Sequence, residues 1–211
     1  MKKLLLLSLF LSSLNLTLLA QNDLPNDQIE ASLTINSNDI IKALKMSGIE
    51  IFKYSIGKFD KKYKITFFID EYKSDSLFQE KVIYRGTNIR KYFDDNKVLQ
   101  TGYISKMRII TKENGDNCKL SINIEDLILN REFSFKKTYN RQFFKWRPYV
   151  NTLYKVNHKV PVMAYISSWK EKNGYIRHCG IRELTEGGVD TEKFFKKSPN
   201  YFIISYLIEK E

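Results

Sequence analysis

Cysteine is almost missing from this chain: 211 residues hold two, Cys118 and Cys179. That excludes a disulfide-dense miniprotein and any CxxC redox or zinc motif. Histidine is as scarce, with only His158 and His178. Without HExxH or an Asp/Asn-rich calcium loop the chain offers no recognisable metal-ligand set, and no metal or cofactor is expected. Four prolines and nine glycines are too few for a collagen or a Pro/Gly-rich low-complexity chain. GxGxxG, GxxxxGK[ST] and GxSxG do not occur, so no dinucleotide fingerprint, P-loop or nucleophile elbow is available. After residue 28 no apolar run approaches the ~20 residues of a membrane-spanning helix.

What is present begins with MKKLLLLSLFLSSLNLTLLAQ. Two lysines, an apolar run from Leu4 to Leu11 broken only by Ser8, and a small residue at Ala20 form the pattern of a cleavable signal peptide over residues 1–20. The mature chain is then expected outside the cytoplasm, periplasmic or secreted. With no Cys beside the cut, it is not expected to be a lipoprotein. Residues 21–28, polar and containing Pro25, read as a flexible leader, and residues 29–211 as one globular domain with no linker or fixed repeat.

Charge is unevenly spread. The full chain carries 35 Lys and Arg against 24 Asp and Glu. Residues 131–160 hold Arg131, Lys136, Lys137, Arg141, Lys145, Arg147, Lys155 and Lys159 against Glu132 alone. Phe133, Phe135, Tyr139, Phe143, Phe144, Trp146, Tyr149 and Tyr154 are interleaved with them. Cations attract an anionic ligand and flat rings stack on bases or sugars. The expected ligand contacts are therefore Arg141, Lys145 and Arg147, with Trp146 and Tyr149 as stacking faces. A plainer explanation stands beside this one: on a strand, alternate aromatics such as Phe133 and Phe135 face a core and leave the lysines in water. Nucleic acid suits the charge but conflicts with export and with the dominance of lysine over arginine.

The fold expected is α+β, an antiparallel-rich sheet of roughly eight to ten strands with three or four short helices. Alternation or apolar density marks strands at 29–35, 49–56, 62–72, 79–84, 103–112, 118–125, 131–139, 160–169, 175–182 and 201–208. Asn114-Gly115 and Asn173-Gly174 mark hairpins, because Asn-Gly readily supplies the positive φ values of a tight turn. Helices are expected after Asn38 or Asp39, after Thr87 or Asn88 (with Ile89, Tyr92 and Phe93 at helical spacing), after Pro148, and after Asp190 or Thr191.

In an oxidising compartment Cys118 and Cys179 are expected to form a disulfide. A catalytic Cys179 is poorly served by its sequence neighbour His178, since neighbours on a strand point to opposite faces. Asp70-Glu71, Asp94-Asp95 and Glu125-Asp126 diverge for the same reason, so no adjacent carboxylate pair is catalytic by itself.

The leader ending LLAQ, the Lys/Asn/Ile/Tyr-rich body and the terminal YFIISYLIEKE together resemble the small uncharacterised exported proteins of Bacteroidetes. The resemblance implies an envelope protein, often in a glycan-handling setting, and assigns no site residue. The function expected is a non-catalytic binding module for an anionic or glycan ligand. Two alternatives are a glycan hydrolase with carboxylates gathered from separate strands, and an envelope protein whose partner is another protein.

Overall fold

The structure, a computed structural model, describes residues 36–211 except 126, 135, 136, 151 and 179. The signal peptide, the leader 21–28 and the strand expected at 29–35 lie outside the described residues. The chain divides into two units, one ending at Met46 and the other running from Ser47 to Glu211.

In the first unit, helix α1 spans Ser37–Met46. Its cap is Asn36, upstream of the expected Asn38 or Asp39. Asn36 Oδ1 accepts the N–H groups of Asn38 at 2.8 Å and Asp39 at 3.2 Å, and the Asp39 carboxylate accepts the Asn36 N–H at 3.2 Å. This reciprocal box satisfies amide donors that have no partner within the helix.

The second unit contains β1 (Ile49–Ser55), β2 (Tyr63–Lys73), β3 (Ser76–Thr87), β4 (Ile89–Phe93), β5 (Leu99–Tyr103), β6 (Lys106–Asn114), β7 (Asn117–Ile124), β8 (Leu127–Ser134), β9 (Phe144–Pro148), β10 (Lys159–Ser167), β11 (Trp169–Lys170), β12 (Ile176–Arg177), helix α2 (Val189–Lys197) and β13 (Asn200–Lys210). The protein is thus mostly β, which corrects the expected α+β class: the described residues form four sheets and only two helices. The two extra helices fail for identifiable reasons. Asn88 caps nothing. Its Oδ1 accepts the Tyr63 N–H at 2.7 Å and its amide donates to the Lys61 carbonyl at 3.0 Å, latching the chain to the start of β2 so that residues 89–93 continue as a strand. Residues after Pro148 are held out of a helix by long-range bonds instead. Tyr149 bridges to Leu184, the Tyr154 N–H donates to the Ile56 carbonyl at 3.0 Å, and Thr152 donates to the Ser55 carbonyl at 3.3 Å.

Two sheets dominate, with orders β1-β6-β7-β8 and β3-β2-β13-β10-β9, and all their pairings are antiparallel. The hairpins β6–β7 and β11–β12 turn at Gly115 and Gly174, both at positive φ, as their Asn-Gly pairs indicate. Alternation then builds the core between the sheets. Met107, Ile109, Leu120, Ile122 and Ile124 from the four-stranded sheet meet Ile65, Phe67, Ile69, Phe202, Ile204, Tyr206 and Ile208 from the five-stranded one. Cys118 lies in this core as a fully buried free thiol.

A second core lies on the opposite face of the five-stranded sheet. There Phe194 and Phe195 of α2 pack on Ala164, Ile166 and Tyr201, with Tyr149 and Leu184 beside them. Strand β10 serves both cores through a register shift between Pro161 and Met163. Val160 and Val162 face the first core. The shift then changes the parity, keeping Met163 and Tyr165 in that core and turning Ala164 and Ile166 to the second. Pro161 sits at this irregularity, one of the places where a strand tolerates a missing N–H.

Candidate functional site

The basic-aromatic segment does not form a continuous ligand surface. Strand β9 alternates, sending Phe144 and Trp146 into the first core. Trp146 is 3% exposed, its ring 4.4 Å from that of Tyr165 and edge-on to Phe133 at 6.3 Å. Tyr149 is buried in the second core, where desolvation pushes its hydroxyl well above the usual tyrosine range. Neither ring is open to stack on a ligand. Arg147 is half-buried and donates to the Trp146 carbonyl at 2.9 Å. Lys145 and Arg141 are exposed, Arg141 in a turn at φ +66°. Lys145 also stands close enough to Glu113 to favour that carboxylate's charged form, although burial raises Glu113 overall.

A denser cationic surface lies on the outer face of the four-stranded sheet. Because paired residues share a face, the register gives its rows directly. Lys53 stands opposite Arg108, which stands opposite Asn123; Ile51 opposite Ile110, then Ser121 and Asn130; Lys112 opposite Lys119, then Glu132. Lys106 continues the first row's charge along β6. Among the described residues Lys53, Lys106, Arg108 and Lys112 form no ion pair. Lys119 reaches Glu132 only at 3.9 Å, both exposed, and Glu125 at the rim is taken by Arg90 at 3.1 Å. Two shallow depressions mark the face. One of about 610 Å³ is lined by Lys53, Ser55, Lys106, Arg108, Asn123 and Glu125, and one of about 420 Å³ by Ile110, Lys112, Lys119, Ser121, Asn130 and Glu132.

The outer positions of these strands carry Ile, Lys, Arg, Ser, Asn and one Glu, and no aromatic residue. Local sequence hides this face because the acids of β1 and β6 point the other way. Glu50 and Glu113 have the inward parity, opposite Thr111 and Cys118. On these two strands Lys53, Lys106, Arg108 and Lys112 all have the outward parity.

A profile of a domain of unknown function, DUF5041, matches residues 18–210. The chain belongs to this family. No curated protein and no solved structure matches the chain. The DUF5041 match covers the second unit up to residue 210.

The DUF5041 domain also places two carboxylates from separate strands together, on the α2 side of the five-stranded sheet. Asp70 of β2 and Glu80 of β3 are direct cross-strand partners. Lys159 reaches over β13 to donate to both, at 2.7 Å to Asp70 Oδ2 and 2.7 Å to Glu80 Oε2, with its ammonium 4.1 Å above the Phe68 ring. Asp70 is 4% exposed. Burial raises its pKa, opposed by the hydrogen bond and charge of Lys159 and by the nearby Ser205 hydroxyl. Ser205 lies close enough to bias the charge, yet neither Asp70 Oδ1 nor Ser205 Oγ gains a well-formed hydrogen bond. Burial alone would lower Lys159, but the two carboxylates keep it protonated above its ordinary range. The ammonium occupies the space between the carboxylates where a glycosidic bond or water would have to sit. This arrangement is an ion cluster of one buried and one exposed carboxylate bridged by Lys159, and it lends no support to carboxylate hydrolysis.

The disulfide expected between Cys118 and Cys179 is likewise not formed at Cys118, which is free; Cys179 lies outside the described residues. Desolvation pushes the Cys118 thiol up to about 12, with Glu113 adding to the rise. A thiol so placed behaves as a small core hydrophobe.

Proposed function

We propose that this DUF5041 protein is a non-catalytic binding module for an acidic glycan, held on the outer face of the four-stranded sheet. One observation carries the reading: the like-charged direct neighbours Lys53–Arg108 and Lys112–Lys119 on a single exposed face. Like charges directly opposite on a sheet are unfavourable to the free protein. An anionic ligand removes that repulsion while satisfying the guanidinium and ammonium donors.

The absence of rings from the face argues against single-stranded nucleic acid, which depends on base stacking. The expected signal peptide supports a place outside the cytoplasm.

The test is calorimetric titration of the chain from Gln21 onward with polygalacturonate and with heparin, at low and moderate salt. We expect binding that weakens with salt and falls at least tenfold in the triple variant Lys53→Ser, Arg108→Ser, Lys112→Ser, with Lys145→Ala little changed. Unchanged affinity in the triple variant, or a loss confined to Lys145→Ala, overturns the assignment.

A further inference from the structure

We infer that the ligand of this face is an extended acidic oligosaccharide gripped at two separate cationic stations, and not a compact anion. The inference rests on the anion-binding reading above and adds the length and charge spacing of the ligand.

The first station is Lys53, Lys106 and Arg108; the second is Lys112 and Lys119. They coincide with the two depressions. Arg108 and Lys112 are four residues apart on β6, which at ~3.4 Å per residue separates the stations by about 14 Å. Between them runs an uncharged row, Ile51, Ile110, Ser121 and Asn130. Positive charge therefore alternates along the strands as charged, neutral, charged.

A single phosphate, sulfate or uronic acid is too small to touch both stations. A linear acidic glycan fits the whole pattern. Its anionic groups fall on the stations, and the ring between them lays an apolar C–H face on Ile51 and Ile110. Its hydroxyls meet Ser121 and Asn130 at the other end of the row. Ser121 Oγ donates to Asn123 Oδ1 at 3.0 Å, and Asn123 lines the first depression. Each depression also holds one carboxylate, Glu125 in the first and Glu132 in the second, already paired with Arg90 at 3.1 Å and with Lys119 at 3.9 Å.

The consequence is bivalency. Once a chain is long enough to reach the second station, that contact becomes intramolecular and affinity rises in a step. Oligogalacturonates of increasing length, from the monomer upward, are titrated against the chain from Gln21 onward and against two surface variants, Arg108→Ser and Lys119→Ser. We expect weak, length-independent binding for the shortest members and then a rise of about 100-fold over one or two added sugars. Either variant should abolish the step, leaving the longest oligomer bound little more tightly than the shortest.

Affinity that grows smoothly with length, with both variants equally harmful at every length, overturns the two-station geometry. Equal binding of double-stranded DNA with the same salt dependence overturns the glycan class and leaves a general polyanion surface. Failure of every oligomer and of the polymer to bind refutes the underlying anion-binding reading instead.

Discussion

Replacing Lys159 with Met gives the sharpest test of how the five-stranded sheet tolerates a buried carboxylate. Asp70 is nearly inaccessible, and Lys159 is its principal countercharge at 2.7 Å. Removing one member of a fully buried pair costs about 3–5 kcal/mol, because the survivor stays desolvated and uncompensated. Here the cost is lower. Lys159 is 30% exposed, so part of its attraction is already screened by water, and Asp70 can relieve its strain by taking up a proton. About 2–3 kcal/mol is a fair expectation, which for a domain of this size lowers Tm by about 5–10 °C. The pH dependence follows from the direction of the Asp70 shift. A carboxyl whose folded-state pKa is raised stabilises the native state below that value, and this contribution is lost as pH rises through it. Removing Lys159 raises Asp70 further. The variant should therefore lie closest to the parent in mild acid and furthest from it at pH 8. Thermal melts of both proteins across that range supply the comparison, with Asp70→Asn added to Lys159→Met as a rescue. An identical Tm deficit at every pH, or no rescue, would refute the assignment of the cost to an uncompensated Asp70.

Four further outcomes follow from the same geometry. Cys118 should resist iodoacetamide in the native protein at neutral pH and react fully in guanidinium, read by peptide mapping; rapid native labelling at that residue would contradict its burial. Trp146→Ala should destabilise by about 3–5 kcal/mol, seen as a lower urea midpoint, since it empties a site packed by Tyr165 and Phe133. Arg108→Thr should raise stability at low salt by about 0.2–1 kcal/mol, the gain vanishing at high salt, because it removes the repulsion from Lys53. Gly57→Ala should lower Tm and perturb the 149–158 segment, because Gly57 lies at φ +135° and an added Cβ would meet the Tyr154 ring at 2.6 Å; an unchanged melt would show that the Tyr154 contact yields freely.

Much of the sheet framework was readable before any coordinates. Strands β1, β2, β6, β7, β10 and β13 announce themselves by alternation or by apolar density, and both Asn-Gly turns fall where hairpins form. Strand β4 was not readable. Five residues are too few for periodicity to separate a strand from a helical turn, so Ile89, Tyr92 and Phe93 suit either, and the deciding bonds from Asn88 reach back 25 and 27 residues. The candidate site was illegible for a related reason. Residues 131–160 attract notice because their charge is crowded along the chain, yet in space β9 hides its rings. The cations of the outer face come instead from β1, β6 and β7 and become neighbours only through the register. Nothing local in Lys53 or Lys119 signals this. The only trace is that acidic and basic residues occupy opposite parities in β6, as Lys112 and Glu113 do.

The position of β13 has a consequence for how the protein comes into being. It is the last strand in chain order, yet it is hydrogen-bonded between β2 and β10 along its length. Until residues 200–210 have been made, β2 and β10 have no common neighbour, and Phe202, Ile204, Tyr206 and Ile208 are missing from the middle of the core. A nascent chain can form the β6–β7 hairpin from local contacts, but the five-stranded sheet must wait until residues 200–210 have been made. Before that stretch is in place, the edges of β2 and β10 that it joins stay unpaired. Loss of residues 200–210 would remove the strand on which both cores close.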